Sequence, residues 1–133
     1  MHYNADEAPN PSSWLALDRE ERVRLVEAAH PTSDILHPAG MDLRRHAAVH
    51  VVVEDHIAAG TPAATALAMA RLTDEGLRRH AAVHCIGDRL LKALARAAIR
   101  GGALEEDTWA AEARAIEPHA WLARQLPGDF QGG

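Results

Sequence analysis

The chain has 133 residues and a mass of 14.4 kDa, enough for one domain with a real core. A formal net charge of −5 and a pI near 5.9 argue against a nucleic-acid surface, which needs a basic face. No run of about 18 apolar residues occurs, so no membrane span is expected, and the single cysteine, Cys85, excludes an internal disulfide and fits a reducing compartment.

Residues 1–12 are polar, with Asn4, Pro9, Asn10 and Pro11 and no apolar period, and read as a mobile arm without a secretory signal. The expected location is cytoplasmic. A first helix is predicted from Ser13 or Asp18 to His30, with Asp18 and Glu21 at capping-box spacing and Pro31 as its stop. A loop over 31–40 follows. The second helix is read over 42–59, ending at Gly60, and the third from Pro62 to Asp74. A long fourth helix is predicted from Leu77 to Arg100, closed by Gly101 and Gly102. Glu105, Glu106 and Asp107 open a fifth helix, their charge suited to its N-terminal dipole. After Pro118 a short segment over 119–125 carries Trp121, and 127–133 reads as a frayed tail. No alternating β-branched run appears. The prediction is all-α: one compact helical bundle of about five helices over 13–126. Aromatics are only 4% of the chain and alanine is abundant, which suits closely packed helices.

The string Leu-Arg-Arg-His-Ala-Ala-Val-His occurs twice, at Leu43–His50 and Leu77–His84. Each copy acquires a carboxylate four residues later, giving His46/His50/Glu54 and His80/His84/Asp88. Residues four apart lie one helical turn apart, so each string aligns three potential metal ligands along a stripe that also carries large aliphatics. A helical solenoid would need at least three such units, so a duplicated histidine-bearing helix within one bundle is the better reading. Buried polar groups without partners cost about 1–3 kcal/mol each, and a divalent cation would satisfy imidazoles and carboxylates together. If the two helices pack antiparallel, His50 and His84 meet. Glu27 and His30 have the E-x-x-H spacing of di-iron carboxylate bundles, and His37 lies nearby.

The candidate metal ligands are therefore His46, His50, Glu54, His80, His84, Asp88, Glu27 and His30. The set favours a transition metal, iron first, with zinc or manganese as alternatives. Trp14, Trp109 and Trp121 read as packing anchors, Cys85 as a small buried thiol, and His2 and His56 as surface residues. Arg44/Arg45 and Arg78/Arg79 are expected on a solvated face, with salt bridges to acidic residues. Ala47 and Ala81 stand where H-E-x-x-H would place its general base, which disfavours a zinc peptidase of that type.

The segments Leu43–Glu54 and Gly76–Gly87, with L-x-x-H-x3-H-x3-E and G-L-x-R-H-x3-H-x-I-G patterns, resemble a family of small all-helical bacterial proteins of unknown function. Trp14-Leu15, Glu21-Arg22 and Leu25-Val26 share in that resemblance, which spans about residues 13–100. It implies a helical fold and the histidine set but supplies no reaction. Three functions follow from the residues: an iron enzyme, mono- or dinuclear, doing redox or oxygen-dependent chemistry on a small-molecule substrate; a zinc or manganese Lewis-acid hydrolase or isomerase; and a non-enzymatic metal-binding structural or sensor dimer. Whether the two strings meet within one chain or across a homodimer is left open by the sequence.

Overall fold

The computed structural model describes residues 1–30 and 42–119, in which six helices and no strand occur. His37, Trp121 and the tail over 127–133 lie outside the described residues. The first predicted helix is two. α1, Pro11–Ala16, opens with Pro11 at its start and with the Asn10 side chain accepting from the Ser13 N–H. Leu17 is extended, and α2, Arg19–Ala28, begins again under a complete capping box formed by Asp18 and Glu21. Those reciprocal bonds explain the break, because Asp18 satisfies the amides of a new N-terminus.

α3 spans Leu43–Ala59 and is capped by Asp42; Gly60 ends it in the left-handed region that glycine enters without a Cβ penalty. α4 spans Ala63–Asp74 after Pro62, and α5 runs over Arg79–Ile99. α6, Glu106–Arg114, carries Glu106 and Asp107 in its first turn, as the charge pattern predicts.

α3 is the shared element, packed against α1, α2, α4 and α5. On one side, Trp14, Val23, Val26, Ala47 and Val51 form a small core under α1 and α2. On the other, Leu72, Ile86, Leu90 and Trp109 anchor a larger core among α4, α5 and α6. Burying each of these large side chains stabilises by about 1.5–3 kcal/mol. Both indoles are satisfied: Trp14 Nε1 donates to Asp55 at 2.8 Å, and Trp109 Nε1 to Thr65 at 2.9 Å. Cys85 is buried as expected, whereas His56, read as a surface residue, is half-buried with Nδ1 2.8 Å from the Thr65 hydroxyl.

The first ten residues depart from the expected arm. Tyr3 and Ala5 are only 6% exposed and join the α1–α3 core. Arg79 donates to the Ala5 and Glu7 carbonyls, and Asp6 accepts from Arg78 and from the His80 backbone N–H. Because α5 has no side-chain cap at Arg78, Asp6 supplies one from 74 residues away.

Candidate metal centre

The duplicated strings do meet within one chain. His46 and His50 lie one turn apart on α3, His84 comes from α5, and His30 enters from just beyond the end of α2. One nitrogen from each of these four lies within 4.8 Å of the others, close enough to hold a metal ion. Ala47 and Ala81, both buried, leave room at the helix contact, and Gly87 lets α5 approach Val49 of α3 more closely than any side chain would permit. His80 stands at the edge, its ring 4.7 Å from His84 and 5.5 Å from His50, outside the group of four.

The outer contacts of His30 and His50 assign which nitrogen of a neutral ring carries the proton. His30 Nδ1 is 2.6 Å from the Val26 carbonyl, which only accepts, so Nδ1 holds the proton and Nε2 a lone pair. The Tyr3 hydroxyl donates to Glu54 Oε2 at 2.6 Å, which commits its one proton. His50 Nδ1, 3.2 Å from the Tyr3 oxygen, must then donate to it, and His50 Nε2 is again a lone pair. These two Nε2 atoms face each other at 3.2 Å. With both rings neutral and oriented this way there would be no proton to share, and a metal ion between them would satisfy both nitrogens.

His46 Nε2 completes the pattern, 3.1 Å from His50 Nε2 and 3.2 Å from His84 Nε2. One N–H on His46 can serve one of those neighbours, not both. A metal–nitrogen bond of about 2.0–2.1 Å gives ligand–ligand edges of about 3.3 Å in a tetrahedron and about 2.9 Å in an octahedron. The separations of 3.1–3.2 Å fall between these values. Burial, together with the neighbouring His84, His30, His46 and His80, holds the His50 imidazole well below its usual pKa, in the neutral form that ligation requires.

The carboxylates take other places. Glu54 is buried on the same face of α3, one turn beyond His50, but it is clasped by Arg79, with Nη2 at 2.7 Å and Nη1 at 2.8 Å. Its side chain is linked to His50 through the Tyr3 hydroxyl. Burial and the Glu54 carboxylate push the Tyr3 phenol far above its ordinary pKa, so it remains a proton donor. Asp88 is exposed and pairs with Lys92 at 3.2 Å, and Glu27 pairs with Arg44 at 3.2 Å. None of the three belongs to the group of four. Arg44, on Glu20 and Glu27, is solvated as expected. Arg79 is not, its side chain being 12% exposed, because a long guanidinium can turn back over the helix start to a buried partner.

Sequence reasoning missed Tyr3, Arg79 and the Asp6 cap. The available signal was a lone tyrosine, the only one in the chain, inside an otherwise polar stretch. Comparison with family models, curated proteins and solved structures finds no match.

Proposed function

We propose that the chain is a mononuclear transition-metal protein whose ion is held by Nε2 of His30, His46, His50 and His84. The observation that carries this reading is the gathering of one nitrogen from each of these four histidines within 4.8 Å, with His30 Nε2 and His50 Nε2 facing each other at 3.2 Å. All four donors come from one chain, so the site needs no second copy. A neutral all-imidazole set suits iron, zinc, copper or nickel. The engagement of Glu54 by Arg79 and of Asp88 by Lys92 takes support away from manganese and from a dinuclear carboxylate site.

Iron is our first choice, in an enzyme doing redox or oxygen-dependent chemistry on a small molecule. His46 and His84 are only half-buried, so a small molecule can approach the centre along their edge, whereas His30 and His50 are sealed. When bound, the ion supplies Lewis acidity and, for iron, electron transfer. The chain's own contribution is to bring four imidazoles together and to hold His50 neutral and oriented. The rival reading is a closed zinc staple, favoured by nitrogen–nitrogen edges near the tetrahedral value and by ligands that join α2, α3 and α5.

Elemental analysis of protein from iron-supplemented cells, beside a His50→Ala control, tests both. About one ion per chain, lost in the control, is expected. No stoichiometric metal, and none gained on anaerobic iron addition, would overturn the proposal. An optical spectrum that changes on adding azide supports the iron enzyme; silent, tightly bound zinc that only raises the melting temperature supports the staple.

A further inference from the structure

Resting on the metal reading, we infer that the N-terminal segment is a strap coupled to the metal centre, with Tyr3 as the positioning residue that joins them. The Tyr3 hydroxyl links the histidine group to the Glu54–Arg79 pair, accepting from His50 Nδ1 and donating to Glu54. Metal-binding histidines commonly owe their orientation to such an outer acceptor, and removing it weakens metal affinity about 10–100-fold. Here the acceptor is delivered by residue 3, not by the helix scaffold that carries the histidines.

The strap is anchored at three further points on α5 and its start. Arg79 donates to the Ala5 and Glu7 carbonyls, Arg78 to Asp6 Oδ2, and the His80 N–H to Asp6 Oδ1. Docking the strap therefore fixes the start of the helix that brings His84, and at the same time fixes the ring of His50 on α3. Coupling of this kind is reciprocal: the factor by which the docked strap tightens metal binding is the factor by which metal tightens the strap. Loss of the segment should loosen the ion, and loss of the ion should release the segment. The centre thus reports whether the N-terminus is docked.

The test uses the full chain and Zn2+ as the probe. Cleavage after Glu7 by a glutamate-specific protease, and amide exchange over residues 3–8, are followed with and without the ion. In the wild type, Zn2+ should slow both by at least about tenfold. In Tyr3→Phe, which keeps the ring and removes the hydroxyl, the Zn2+ Kd from chelator competition should rise about 10–100-fold. Protection of the strap by the ion should shrink by a matching factor, and the visible spectrum of the Co2+-substituted site should change. An unchanged Kd in a folded Tyr3→Phe chain, or wild-type cleavage indifferent to bound Zn2+, would overturn the strap while leaving the metal site standing. Failure of the wild type to bind any ion would instead remove the metal reading and this inference with it. The wild-type measurement needs no variant, so misfolding of Tyr3→Phe leaves the test intact.

Discussion

Arg79→Met isolates the buried ion pair behind the histidine group. Glu54 is fully buried at its side chain and Arg79 nearly so, and they are joined by two bonds of 2.7 and 2.8 Å. Removing the guanidinium leaves a carboxylate whose remaining hydrogen bond comes from Tyr3. Breaking a buried pair from one side costs about 3–5 kcal/mol. Unfolding entropy of about 2.1 cal/mol/K per residue gives about 0.28 kcal/mol/K for 133 residues, so the metal-free protein should melt about 11–18 °C lower. The Glu54→Leu/Arg79→Met double variant replaces the pair with apolar groups and should regain more than half of the loss. The remainder belongs to the Tyr3 hydroxyl, which loses its acceptor. Thermal melts by circular dichroism in excess chelator measure all of this. A shift below about 4 °C for Arg79→Met, or a double variant worse than Arg79→Met alone, would refute the assignment of Glu54 to Arg79.

Two further outcomes follow from the same geometry. His50 is neutral in the fold, with His30, His46, His80, His84 and Tyr3 facing it, and its folded pKa lies below the ordinary 6.5. The unfolded chain therefore binds more protons below about pH 6.5, and metal-free stability should fall as pH drops from there, by at most about 1.4 kcal/mol per pH unit from this residue; chelator-treated melts that are flat from pH 6.5 to 5 would contradict it. Gly87→Ala would place a Cβ 2.8 Å from Val49 Cγ1, a methyl on a stiff β-branched side chain. Overpacking of about 1–3 kcal/mol, set against about 1 kcal/mol of helix propensity, leaves a modest net loss. Metal affinity should fall more clearly as α3 and α5 part, and Val49→Ala in the same chain should restore both; metal titration and melts read the pair.

The all-helical class, the capping box at Asp18 and Glu21, the Gly60 terminus and the meeting of His50 with His84 were legible because each is a local or periodic property. The break at Leu17 was not, since nothing in apolar spacing separates one helix with a frayed start from two helices sharing a core. Tyr3 and Asp6 were hidden for a different reason: their partners lie 47 to 74 residues away, and no period of the chain encodes such pairings.

The misplaced carboxylates are the more instructive case, because the period pointed them in the right direction. Glu54 does share the inward face with His46 and His50. But an H-x3-H-x3-E string covers nine residues, whose eight rises of 1.5 Å span about 12 Å of helix. The four nitrogens that could hold one ion lie within 4.8 Å of one another. Two ligands one turn apart can bend to a common centre; a third, another turn along, overshoots it. On α3 the pair is His46 and His50, and Glu54 is left to find Arg79. On α5 only His84 reaches the group, with His80 at its edge and Asp88 out in solvent against Lys92. The fourth donor must then come from elsewhere, and His30, released by the end of α2, fills the place. On α3 the stripe of three thus gives two nitrogens to the group of four and one carboxylate to the Tyr3 hydroxyl that touches His50.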